Sequence, residues 1–179
     1  KGLKLIWISP LRSLAKDLAK AMTTAVEEIG LDWEIAVRNG DTPTNIRRKQ
    51  ERSMPDILLT TPETLHLLFS QKRNSRWFKN VNCIAVDEWH ELLGSKRGVL
   101  TELAIARIRN LSTKTRIWGI TATIGNLEEA KNVLIPYDVK TTMIRAKEKK
   151  KIDIISLLPD QVEELSWAGH LGKTMSSKI

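Results

Sequence analysis

The sequence holds one cysteine, Cys83, in 179 residues. An internal disulfide is therefore excluded, and a reducing compartment, the cytoplasm, is the expectation. No apolar run exceeds a few residues, far short of the roughly 20 that span a bilayer, and no signal-peptide pattern opens the chain. Negative charge is in deficit: 21 acidic residues stand against 29 lysines and arginines, for a formal net charge of +8. That balance draws the chain toward polyanions, of which nucleic acid is the commonest. What is present is ordinary, 41% hydrophobic and 28% charged. Such a composition points away from collagenous, disordered or membrane-embedded chains, and the length suits one well-buried domain with part of a second.

Short apolar runs alternate with helical patterns. Lys4 to Ser9, Trp33 to Val37, Asp56 to Thr61, the "CIAV" of Cys83 to Val86, and Arg116 to Thr121 read as strands. Leu11, Leu14, Leu18, Met22, Ala25, Val26 and Ile29 form one helical face, with Ser9 placed as N-cap, Pro10 at the first helical position and Gly30 at the close. Thr42 and Pro43 open a polar helix carrying Arg47, Arg48, Lys49 and Arg52, and Pro62 opens "ETLHLLFS". Val99 to Leu111 and Asn126 to Leu134 complete the set. The alternation predicts an α/β fold, a parallel sheet layered between helices as α/β/α. Pro136, the "AKEKKK" of Ala146 to Lys151, and Pro159 read as linker and irregular connection. A domain boundary is expected there, dividing 1–143 from 144–179.

In parallel α/β sheets ligands bind beyond the carboxyl ends of the strands. At those ends stand "SPLRSL", "RNGDT", "TTPETL", "DEWH" and "TATIGN". An apolar strand ending in Asp87-Glu88 suits a site where one carboxylate holds magnesium through water and the next orients the water that attacks a γ-phosphate. A helix N-terminus, which favours acids and would use Asp87 only as a cap, explains the same two residues taken alone.

Taken in order, "SPLRSLAKDL", "TTPETL", "DEWH" and "TAT" resemble motifs Ia, Ib, II and III of superfamily 2 helicases. "DEWHELLGSKRG", "TATIGNLEEA" and "WAGHLG" look like the large helicase-related (Lhr) DEXH-box group, in its ligase-associated branch. The resemblance implies a RecA-like (P-loop NTPase) domain that uses ATP and magnesium to move along single-stranded DNA or RNA. It implies a coordinating role for Asp87, a catalytic base in Glu88, and in His90 a link to motif III. Thr121 and Thr123 would couple hydrolysis to domain movement. Pro10, Leu11 and Arg12, the loop with Arg38, Gly40 and Asp41, and the run Thr60, Thr61, Pro62 and Glu63 would line the track for one strand. A DNA ligase and a nuclease are the partners that the branch suggests, and DNA repair the setting.

The chain departs from that pattern in one respect. The phosphate loop G-x-x-x-x-G-K-[ST] does not occur in it. "GHLGKT", Gly169 to Thr174, has Trp167 where the first glycine is needed. The expectation is an N-terminally truncated domain that does not hydrolyse ATP at a helicase-like rate alone. Its "RIWGI" strand would be left as an apolar edge inviting self-association. A non-enzymatic nucleic-acid-binding module is the alternative, and a metal-dependent nuclease is less favoured, since no further acidic or histidine cluster stands at the other strand ends. Glu91 is assigned to the turn after the acids, His66 and His170 to structure, Trp89 to packing, and the other tryptophans mainly to the core.

Overall fold

A computed structural model of the chain describes residues 2–71, 74–122, 124–135 and 139–145. The chain divides into two compact units, Lys1–Thr141 and Thr142–Ile179. All the regular elements described belong to the first. Residues 142–145 of the second are irregular. Thr123, the lysine-rich run, "WAGHLG" and "GHLGKT" lie outside the described residues.

Five four-residue strands run parallel: β1 (Leu5–Ile8), β2 (Ile35–Arg38), β3 (Ile57–Thr60), β4 (Cys83–Val86) and β5 (Arg116–Gly119). Their spatial order is β2-β3-β1-β4-β5. The connecting helices are α1 (Ala15–Glu28), α2 (Thr44–Arg52), α3 (Pro62–Phe69), α4 (Asn74–Phe78), α5 (Trp89–Leu92), α6 (Lys96–Leu111) and α7 (Leu127–Leu134). The register brings the carboxyl ends level, pairing Ile8 with Thr60 and Val86, Arg38 with Thr60, and Val86 with Gly119. This is the α/β architecture that the alternating pattern predicts.

Alternation along the strands sorts the core. Ile6, Ile8, Leu58, Ile84 and Val86 pack on one face with Leu65, Leu68, Phe78, Ala104 and Ile108 of α3, α4 and α6. On the other face, Ile57 and Leu59 meet Val26 of α1, with Leu18 and Met22 packed at the edge. Fully burying a side chain of this size contributes about 1.5–3 kcal/mol.

Two expected caps are corrected. Helix α1 begins at Ala15, not Pro10, because the Pro10 carbonyl accepts from Arg97 Nη1 (3.1 Å) and the Ser9 hydroxyl accepts the Leu11 N–H (3.3 Å). A turn through Arg12 to Leu14 then leads into the helix. Thr42 does not cap α2; its hydroxyl accepts the Asn39 N–H at 2.9 Å and fastens the loop instead. Thr61 caps α3 and Asn126 caps α7, each accepting a backbone N–H of the first turn. Ser95 caps α6, which starts three residues before Val99.

Trp118 departs from the expected core position and is 61% exposed. It lies on β5, whose sole sheet neighbour among the described residues is β4. Trp77 and Trp89 are buried, while Trp7 and Trp33 are half-buried. Histidine 66 is structural, its Nε2 2.7 Å from the Leu100 carbonyl and its ring edge-on to Phe69.

Candidate functional site

The sheet holds the acidic turn by its backbone. The Asp87 N–H donates to the Ile8 carbonyl (2.8 Å), the Ile120 N–H to Val86 (2.8 Å), and the Trp89 N–H back to Ile120 (3.0 Å). Between these ties Glu88 adopts φ 48°, ψ 46°, the one positive φ at a non-glycine among the described residues. Such backbone costs of the order of 1–3 kcal/mol and persists where surroundings impose it, often at functional sites. The next residue, Trp89, is buried, and its indole donates to the Ala130 carbonyl of α7 at 2.9 Å.

The consequence is a compact polar cluster. Both Asp87 oxygens have donors, the Glu88 N–H at 3.0 Å and the Trp7 indole at 3.2 Å. His90 Nδ1 stands 3.2 Å from the Thr121 hydroxyl and 3.5 Å from Glu88 Oε2, and it accepts the Ala122 N–H at 3.3 Å. An Nδ1 that accepts an amide proton leaves the ring proton on Nε2, which lies 3.6 Å from Glu91 Oε1. The fold thus gathers Glu88, His90 and Thr121 around one imidazole, with Asp87 anchored beside them. The exposed Glu91 closes the turn through its N–H to the Glu88 carbonyl (2.8 Å).

The loops after β1, β2 and β3 form the other half of the edge. Arg12 is exposed and lies over Gly40, where an added Cβ would fall 2.9 Å from Nη1, and its guanidinium is 3.5 Å from Asp41. The Arg12 guanidinium is thus the group that a side chain at position 40 would displace. Leu11, Arg12, Gly40 and Asp41 are the sequence-assigned track residues that face solvent. Pro10, Thr60, Thr61 and Pro62 are buried, the Thr61 hydroxyl being directed to Thr64.

Arg38 is corrected as a surface contact. Its side chain is 6% exposed and donates to Glu51 (2.7 Å) and to the Arg47 carbonyl (3.2 Å). The Arg38 guanidinium holds the Glu51 carboxyl below the usual range, against the opposing effect of burial. Glu63 is likewise engaged: Arg97 Nε donates to it at 2.5 Å. Partial burial pushes the Glu63 carboxyl up, but Arg97, the backbone N–H and Thr61 outweigh this and leave it lowered.

Sequence reasoning missed two organising arginines. Arg97 bridges Glu63 of α3 to the Pro10 carbonyl and so ties two track segments together. Arg47 donates to the carbonyls of Asn39, Gly40 and Thr42 and sets the shape of the β2 loop. Neither stands at a strand end, the signal used for the rest. A cavity of about 590 Å3 opens elsewhere, at the amino-terminal ends of β1, β4 and β5 among Lys4, Lys79, Asn82 and Lys114. Neither the acidic turn nor the loops after β1, β2 and β3 line it.

Among the described residues no group of three or more His, Cys, Asp and Glu is placed to hold a metal ion. Two neighbouring hard oxygen donors still fit magnesium, which keeps several waters and takes one or two carboxylates together with substrate phosphates. No helix among the described residues is long and apolar enough to cross a membrane.

A family model, "DEAD/DEAH box helicase", matches residues 1–133. The chain belongs to the DEAD/DEAH box helicase family, and its fold is the RecA-like domain of that family. Its curated relatives include the ATP-dependent helicase Lhr-Core of Saccharolobus solfataricus, 33% identical over 163 residues and covering 86% of this chain and 18% of that one. The Lhr helicase/probable uracil glycosylase of Mycolicibacterium smegmatis is 31% identical, over 89% of this chain and 11% of its own. Among solved structures, Mycobacterium smegmatis helicase Lhr bound to ssDNA and AMP-PNP superposes with a TM-score of 0.65 at 31% identity, covering 74% of this chain and 18% of that one. The DUF1998 helicase MrfA bound to DNA gives 0.65 at 26%, covering 74% and 19%. The chain thus spans less than a fifth of the length of these relatives.

Proposed function

We propose that this chain is part of the first motor domain of an ATP-dependent DNA helicase of Lhr type, covering residues 1–143, with 144–179 leading into the second motor domain. The observation that carries the reading is His90 Nδ1 within 3.5 Å of both the Glu88 carboxylate and the Thr121 hydroxyl. A change at Glu88 on nucleotide turnover then has a direct route to the segment after β5.

In this reading magnesium, bound beside ATP, supplies charge neutralisation at the phosphates. Asp87 offers its carboxylate through water. Glu88, half-exposed on strained backbone, accepts the proton of the attacking water. His90 passes the state of Glu88 to Thr121 and, by sequence, to Thr123. The exposed Arg12, Gly40 and Asp41 face the sugar-phosphate backbone of one strand, with Pro10, Thr60, Thr61, Pro62 and Glu63 beneath as support. Contacts of this kind give binding that depends on salt more than on sequence.

The bound DNA in the Lhr and MrfA structures supports DNA as the substrate. A cytoplasmic setting, a repair role, ligase and nuclease partners, and self-association through the β5 edge complete the proposal. The chain alone is proposed not to turn over ATP at a helicase rate.

The test is single-strand-stimulated phosphate release by the longer protein that carries this chain. Glu88→Gln should lower release about a thousand-fold while single-strand binding persists. Release undiminished in Glu88→Gln overturns the assignment; a longer protein that binds strands but never hydrolyses ATP favours a non-enzymatic binding module.

A further inference from the structure

The geometry points to Trp7 as the positioning residue of the Asp87 carboxylate, a role that rests on the function proposed above. Trp7 lies in β1, the central strand, which is paired on one side with β3 and on the other with β4. Its partner in β4 is Ala85, two residues before Asp87. Directly paired residues of adjacent strands point to the same side of the sheet, so Ala85 shares the face of Trp7. Alanine has no side chain beyond Cβ, so the half-buried indole has room to cross β4 toward the strand end. There Nε1 donates to Asp87 Oδ2 at 3.2 Å.

The other oxygen, Oδ1, takes the Glu88 N–H at 3.0 Å, and the Asp87 N–H is spent on the Ile8 carbonyl at 2.8 Å. The carboxylate is thus held at both oxygens by groups of two different strands or turns, and rotation about its last bond would break both contacts. A carboxylate oxygen has two lone pairs. One on each remains for water around a cation. Indole nitrogen donates and never accepts, so it fixes the acid without competing as a ligand. Losing a neighbour that orients a ligating group in this way typically lowers metal affinity by about 10- to 100-fold. Phenylalanine at position 7 would keep the ring over Ala85 and lose only the donor.

The experiment uses the 179-residue chain with 15N in the indole nitrogens, the Trp7 signal being identified by its loss in Trp7→Phe. In Asp87→Ala the Trp7 N–H signal should move upfield while the Trp77 and Trp89 signals hold. Manganese(II), a paramagnetic stand-in for magnesium, should broaden the Trp7 signal first. Its affinity, read from the electron-spin signal of free manganese, should fall about 10-fold in Trp7→Phe and stay unchanged in Trp118→Phe, a change of the same size on the same sheet face. A Trp7 signal indifferent to Asp87→Ala overturns the proposal, as does manganese affinity equal in wild type and Trp7→Phe. Should Trp7→Phe fail to fold, the comparison of wild type with Asp87→Ala decides alone, with the signal assigned by sequential resonances. A Trp7 signal that responds to Asp87→Ala but is not broadened by manganese leaves Trp7 holding Asp87. That outcome removes the metal role of Asp87 instead.

Discussion

On the face beneath α3 and α6, Leu58, Leu65, Leu68, Phe78, Ile84 and Ile108 have no measurable exposure, whereas across the same sheet α1 covers β2 and β3 and Trp118 stands largely in solvent. Parallel sheets are ordinarily buried on both faces. Among the described residues, the contrast separates a closely packed face from one on which a strand tryptophan meets solvent. The core that fixes strand register is complete, while the open half borders Trp7, Ala85 and Trp118, next to Asp87.

The largest effect should come from the closed face: Phe78→Ala is expected to cost about 4 kcal/mol in urea unfolding. Trp118→Ala, of comparable size change, marks the other extreme, and equal losses would break the comparison. Next comes Gly98, at the α5–α6 junction of the closed side. A Cβ there would lie 2.2 Å from the Leu92 carbonyl oxygen, which is backbone and cannot step aside cheaply. Gly98→Ala should cost about 3 kcal/mol in the same assay, and a neutral result would show that the α5–α6 turn yields.

Arg38→Met should cost about 2 kcal/mol. This is less than the 3–5 of a fully buried pair because Glu51 keeps 35% of its exposure. Single-strand affinity, measured by fluorescence anisotropy, should be unchanged, whereas Arg12→Ala should weaken it and reduce the salt slope by about 1. Strand binding that follows Arg38 would return that residue to the track.

Acid should then separate the halves more gently. Burial raises the Asp56 carboxyl, but Lys4 and the Glu34 N–H bring it below its ordinary value, and Glu51 and Glu63 are also lowered. Carboxyls depressed in the folded state contribute stability that is complete above their unfolded values and lost as pH falls through the folded ones. Stability should therefore decline below about pH 4. Since Asp56 and Glu51 serve β2 and β3, hydrogen exchange at Ala36 and Val37 should quicken before exchange at Ile84 and Ala85. Simultaneous loss would make the sheet one cooperative unit. The smallest effect is at Trp118 itself, where Trp118→Ala should move unfolding by under about 0.5 kcal/mol. It should also reduce any association seen in sedimentation through the β5 edge.

Much of the fold was legible because its strands are short apolar runs with helical spacing between them. "CIAV" matches β4 residue for residue, and Pro62 opens α3 as its local chemistry announces. Ser9 and Thr42 misled because their hydroxyls have two uses. Each can cap a helix or fasten a loop, and which one wins depends on what the neighbouring carbonyls meet. Pro10 meets Arg97, 87 positions away. Trp118 misled for a related reason: an apolar residue in a strand is buried only if something covers that strand's face. Of the site, Asp87, Glu88, His90 and Thr121 were readable as a set from motif order, while Arg38, Arg47 and Arg97 look alike in sequence and diverge in the fold.

The sequence by itself determined the element types, the parallel α/β class and the acidic turn at a strand end, since these follow from periodicity and from residues adjacent in the chain. Tertiary structure alone decided that His90 reaches Thr121 across 31 positions, that Trp7 reaches Asp87 across 80, and that one arginine is buried while another faces solvent. Those outcomes depend on strand order, which brings β1, β4 and β5 side by side. Hydrogen bonds of about 3 Å leave no tolerance for a different neighbour.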